Sequence, residues 1–167
     1  MAERREEAGR LGRALEVALR FLGPRARSVA EVRERLGRDG YPPEVIDGVI
    51  SRLQAQGLLD DLAFARAWLE ARDRAHPRAT RALWAELRRK GVDAEVIRVA
   101  MAERAAAAGG EADVVAARRL LARRRRLLGR LEPGERSRRA YSLLVRAGFS
   151  TELARVLARE VEGDGGS

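Results

Sequence analysis

A chain of 167 residues is long enough for one domain with a true core, or for a short run of smaller repeated units. Its 34 basic against 25 acidic residues leave a formal charge of +9, which favours a polyanionic or acidic partner over a small metabolite. All but one of the cations are Arg, cysteine is absent, and no apolar run approaches a membrane span or a secretory signal; disulfides, thiolate nucleophiles and sulfur-bound metals are excluded, and a soluble, cytoplasmic protein without membrane contact is expected.

Apolar residues recur with helical period throughout, and almost nothing alternates with period two. In chain order the pattern predicts helices over about 10–22, 28–38 and 43–56, then 61–74, 77–90 and 94–104, then 111–129, 134–147 and 151–162. Ser28 and Glu31 fit a capping box, in which each side chain satisfies the other residue's backbone N–H. Val45, Ile46, Val49, Ile50 and Leu53 define one buried helical face, repeated by Val96, Ile97, Ala100 and Met101. Asp60-Asp61, the one adjacent acidic pair that could tempt a metal reading, reads instead as a helix N-cap with an extra charge at the positive helix end. Phe64 and Trp68, four residues apart, should face one core, and Pro77 suits the first turn of the following helix. Arg88-Arg89-Lys90 puts cations in a last helical turn. The run 105–110 reads as a frayed end and linker.

These elements repeat. Leu36, Gly40 and Glu44 are echoed at the same offsets by Leu87, Gly91 and Glu95 and by Leu144, Gly148 and Glu152, with registers 51 and then 57 residues apart. Each glycine stands where a left-handed residue would close a helix, and an apolar residue follows it (Tyr41, Val92, Phe149). An all-α tandem array of three three-helix repeats is expected: residues 10–58, 59–104 and an arginine-rich third over 110–162, then a disordered tail, 163–167.

Residues 110–167 hold 13 basic and 8 acidic residues, more than half of the excess charge in about a third of the chain. On one continuous helix, Ala117, Leu120, Leu121, Leu127, Leu128 and Leu131 would form an apolar floor about 120° wide, opposite a ridge of Arg119, Arg123, Arg126 and Arg130. Arg124 would fall inside the floor, so it must snorkel, pair with an acid or mark an early helix end. No acid lies between Asp113 and Glu132, and Arg136, Arg138 and Arg139 follow. The ridge and its continuation are candidate phosphate contacts, against the plainer reading of a solvated face. Nothing in the sequence forms a nucleophile–base pair, a carboxylate cluster for magnesium or a phosphate-cradling loop, so no catalysis and no cofactor are expected, and His76 beside Pro77 reads as a surface residue.

Gly57-Leu58-Leu59-Asp60-Asp61-Leu62-Ala63-Phe64-Ala65, with Glu86-Leu87-Arg88-Arg89-Lys90-Gly91-Val92 downstream, closely resembles the signature of the RecX family of bacterial RecA regulators. The resemblance covers about residues 12–104 well and the third repeat loosely. It implies an elongated, curved array of three-helix repeats that binds the RecA filament and DNA; a monomer is expected, and the arginine ridge makes the expected binding of single- and double-stranded DNA independent of sequence. It further implies inhibition of RecA ATPase, strand exchange and coprotease activities during recombination and the SOS response. Asp60, Asp61, Phe64, Arg88, Arg89 and Lys90 carry the signature and are the candidate RecA-facing residues. One departure is that the family often places Gly-x-Gly-Pro before the middle helix of the second repeat, where this chain has Ala79-Thr80, with Pro77 two or three residues earlier. The competing reading is a helix-turn-helix transcriptional regulator, against which the post-glycine helices open with Glu44, Glu95 and Glu152, acids that would oppose DNA.

Overall fold

The computed structural model describes residues 2–23 and 25–163, and these are entirely helical and connecting segments. Ten helices follow in order: α1 (Ala2–Leu22), α2 (Val29–Arg38), α3 (Pro43–Ala55), α4 (Asp61–Ala75), α5 (Thr80–Arg89), α6 (Ala94–Ala107), α7 (Ala112–Arg123), α8 (Arg125–Leu128), α9 (Pro133–Arg146) and α10 (Thr151–Gly163). The chain forms two compact units, Met1–Ala67 with Leu87–Arg98, and Trp68–Glu86 with Val99–Ser167.

In the first unit α1, α2 and α3 pack on one another around Ala14, Ala18, Val32, Leu36 and the α3 stripe of Val45, Ile46, Val49, Ile50 and Leu53, all buried as the periodicity requires. In the second, α9 and α10 form the main pair, with α7 against them, around Ala117, Leu121, Leu144, Phe149 and Leu157. Removing a side chain such as Phe149, fully buried here, from water contributes roughly 1.5–3 kcal/mol.

The thrice-repeated Leu…Gly-apolar pattern has one physical cause. Gly40, Gly91 and Gly148 adopt φ of 81°, 75° and 94°, and the next residue's N–H (Tyr41, Val92, Phe149) donates back to the carbonyl of Leu36, Leu87 and Leu144 at 3.1–3.2 Å. This is the Schellman closure, which satisfies a carbonyl left over at the helix end.

Four expectations need correction. Helix α1 runs back to Ala2, well before residue 10, because Glu3–Arg13 is free of helix breakers other than two glycines. Pro77 does not open α5: it is fully buried in the connection, and the helix starts at Thr80, where Ala79 C=O accepts from Ala82 and Leu83. The helix expected over 111–129 is interrupted at Arg124, whose N–H pairs with Leu121 O and whose φ and ψ of −100° and 4° lie outside the α region. That one residue out of phase rotates the following turn, so Leu127 is 45% exposed instead of lying on the apolar floor. Finally, Gly163 closes α10; the rest of the expected tail, 164–167, lies outside the described residues.

Candidate functional site

Three signature residues of the first unit, Asp61, Lys90 and Gly91, converge on the start of α2. Ser28, wholly buried, accepts from Glu31 N at 3.2 Å while Glu31 Oε2 accepts from Ser28 N at 3.1 Å, completing the capping box. Its hydroxyl donates to Lys90 O at 2.6 Å, and Lys90 Nζ donates to Glu31 Oε1 at 2.7 Å. The next orphan donor, Val29 N, is taken by Asp61 Oδ1 at 2.8 Å. Gly91 lies so close to Ala30 that any Cβ would overlap its methyl. Asp60 caps its own helix, accepting from Leu62 N at 2.7 Å and Ala63 N at 3.1 Å.

Two carboxylates here are pushed in opposite directions. Burial works to raise the Glu31 carboxyl, but the Lys90 hydrogen bond, the Ser28 N–H and the charges of Lys90 and Arg27 outweigh it and hold it below its ordinary value. At Asp61 burial is the largest influence; with the charges of Asp60 and Glu31 it overcomes the Val29 N–H and raises the carboxyl.

Phe64 is 5% exposed and belongs to the interior. Trp68 is half-buried; its indole N–H donates to Glu86 Oε2 at 3.0 Å, and Glu86, a buried acid, also receives Arg72 at 2.8 Å and Arg78 at 3.1 Å. The first residue of the downstream signature is therefore a satisfied internal anion. Arg88 is exposed and donates to Val92 O at 3.0 Å, and Arg89 is exposed on the same last turn of α5.

The second unit makes the same kind of joint at the start of α5. Thr80 N and Oγ1 donate to Asp113 Oδ1 at 2.8 and 2.7 Å, Ala79 N donates to Ala147 O at 3.2 Å, and Arg81 Nε donates to Gly148 O. A Cβ on Gly148 would sit 2.9 Å from that of Ala82. Arg104, 9% exposed, grips Asp73 through two bonds of 2.9 Å and donates to Thr80 Oγ1 at 3.0 Å. Nothing in the local sequence marks Arg104 or Asp113 for this work, because their partners lie 24 to 33 residues away.

The arginine surface differs from a simple ridge. Arg119 and Arg123 stand on α7, Arg126 on α8, and Arg130 beyond it, all exposed. Arg123 donates to Arg74 O at 2.7 Å, and Arg136, half-buried, ties down the carbonyls of Leu128 and Leu131 at 3.2 and 3.1 Å. These two are engaged in holding the backbone. Arg138 and Arg139 are exposed on α9. The break at Arg124 turns that residue and Arg125 outward as well, which realises the early-helix-end alternative for Arg124. Among the described residues Arg119, Arg124, Arg125, Arg126, Arg130, Arg138 and Arg139 are exposed, and their guanidinium groups make no hydrogen bond or ion pair. No helix of the described residues is long and apolar enough to cross a membrane.

Models of the RecX first and second three-helix domains match residues 14–53 and 60–101. The regulatory protein RecX of Thermobifida fusca is 38% identical over 155 residues, covering 92% of this chain and 81% of that protein. The RecX of Mycobacterium avium is 46% identical over 97 residues, and the match spans just over half, 56%, of its length. The crystal structure of RecX from Lactobacillus salivarius superposes with a TM-score of 0.70 at 19% identity, covering 93% of this chain and 98% of that one, which establishes the shared fold. With both domain models matched, the signature residues built into the α2 joint and relatives aligned over nearly the whole chain, this is a member of the RecX family of regulatory proteins.

Proposed function

We propose that this RecX-family protein is a non-catalytic regulator that binds a RecA–DNA filament and slows its ATPase, strand exchange and coprotease activities, meeting protein with its first two repeats and DNA phosphates with its third. The observation that carries the nucleic-acid half is the group of seven exposed, unpaired arginines between Arg119 and Arg139. A solvated face normally intersperses acids to neutralise such a run; between Asp113 and Glu132 there are none, so Arg119, Arg124, Arg125, Arg126 and Arg130 are left for an external anion. The alternative of a base-reading helix-turn-helix regulator is disfavoured by the exposed acids Glu44, Glu95 and Glu152 in the first turns of α3, α6 and α10.

The test is RecA-dependent ATP hydrolysis on single-stranded DNA, with this protein added before and after filament assembly. Slower hydrolysis is expected in at least one order of addition, and no effect in either overturns the proposal. For the DNA contact, four neutralised phosphates on a single strand give a slope of log K against log salt near −3, from about −0.7 per contact. Substituting Arg119, Arg124 and Arg126 by Glu should flatten that slope with helicity retained, since none of the three side chains bonds to the fold. An unchanged slope returns these arginines to a solvated face.

A further inference from the structure

The second unit carries an open groove lined by Thr80, Arg81 and Trp84 of α5, Asp113 of α7, and Gly148 and Ser150 of the α9–α10 turn. Thr80 and Asp113 satisfy each other, as described above. Trp84 is different. It is half-buried in a groove wall, and among the described residues its indole N–H meets no acceptor, in contrast to Trp68, whose N–H is taken by Glu86. Beside it Arg81 is anchored through Nε on Gly148 O, which leaves both Nη amines without an acceptor. The Ser150 hydroxyl oxygen accepts from Leu153 N, so its own proton remains to be donated outward.

A large aromatic face, an oriented guanidinium and a hydroxyl donor in one groove match what an unstacked nucleobase and its phosphate require. The charge agrees, since this unit holds 18 basic and 12 acidic residues, or +6 of the chain's +9. An apolar side chain of a protein would fill the aromatic wall but give the Arg81 amines nothing to bind.

We infer that Trp84 is a stacking platform for one base of single-stranded nucleic acid, with the Arg81 Nη amines on the adjacent phosphate. The inference rests on the nucleic-acid half of the proposed function and adds to it a preference for single strands, because duplex bases stay inside their stack.

The experiment compares wild-type protein, Trp84→Ala and Trp84→Phe by anisotropy of a labelled oligo-dT and of a labelled duplex, and by quenching of intrinsic tryptophan emission on adding unlabelled oligo-dT. Trp84→Ala should weaken oligo-dT binding about 5- to 150-fold and duplex binding by less than about twofold, a phosphate-only contact being unaffected. Trp84→Phe should keep most of the single-strand affinity, because a phenyl ring still stacks, while losing the quenchable emission. Equal loss on both substrates, unchanged oligo-dT affinity, or the same quenching in Trp84→Phe as in wild type each overturns the inference. Should Trp84→Ala fail to fold by circular dichroism, the quenching comparison decides alone. Wild-type protein that binds no DNA refutes the nucleic-acid reading itself; DNA binding without Trp84 quenching refutes only the platform.

Discussion

Glu31 and Asp61 meet at the start of α2 with opposite consequences for stability against pH. The Glu31 carboxyl is held low, so the folded state gives up its proton more readily than the unfolded chain; its contribution is full above the ordinary glutamate range and is lost as pH falls through the lowered folded value. Asp61 is raised, so its ionised form costs the folded state stability at neutral pH, and that cost disappears as pH falls through the raised value. Glu31→Gln should therefore lose about 1 kcal/mol at about pH 7, with the difference from wild type vanishing as acidification passes below the lowered folded value. Asp61→Asn keeps the Oδ1 acceptor for Val29 N and should match or exceed wild type at neutral pH, an advantage that also fades in acid. Urea midpoints measured across that range check both signs, and a Glu31→Gln deficit that persists in acid would show the loss to be packing instead of charge. The sequence disclosed Ser28–Glu31, a contact three residues long, but not the Asp61 and Lys90 partners, which lie 32 and 62 residues away and are brought in only by tertiary packing.

At the scale of elements, the helices and their glycine closures were legible because each is written in a contiguous stretch: a 3.6-residue stripe, a cap and an αL stop. What escaped was phase. The break at Arg124 follows no Gly or Pro, so periodicity ran a single helix through it; the misfit of Arg124 on the apolar floor left an early helix end as one of three readings, and the outward-facing Arg125 was hidden. Gly91 separates the two roles a repeated glycine can have. Both Gly40 and Gly91 need positive φ, but a Cβ at Gly40 meets nothing within 4 Å, whereas at Gly91 it collides with Ala30. Gly40→Ala should cost about 1–2 kcal/mol for the left-handed backbone. Gly91→Ala should cost about 2–5 kcal/mol, with roughly 1–3 added by overpacking. Thermal unfolding of the two variants measures the difference, and equal losses would mean that α2 can yield to the extra methyl.

For the whole molecule, the two joints make each interior middle helix depend on chain that comes later: α2 on Asp61 and Lys90, α5 on Asp113 and Ala147. A chain ending at Ala107 should keep the first joint and lose the second. Amide exchange should then find Val29 N–H still protected and Thr80 N–H fast; protection of Thr80 in the shortened chain would show that Asp113 is dispensable. The last middle helix, α9, has no such debt. It opens with Pro133 in its first turn, where no N–H is needed, and Arg136 ties its start to the carbonyls of Leu128 and Leu131.

That directionality has a consequence during synthesis. The groups that complete the start of α2 leave the ribosome after it, Lys90 following Ser28 by 62 residues. At about 5–20 residues per second that is an interval of roughly 3–12 s. The nascent first repeat spends it with the Ser28 hydroxyl and the Ala30 surface open to water or to chaperones, and about half of it with Val29 N–H open as well, until Asp61 emerges 32 residues on; the last repeat, born with its own closure, needs no such wait.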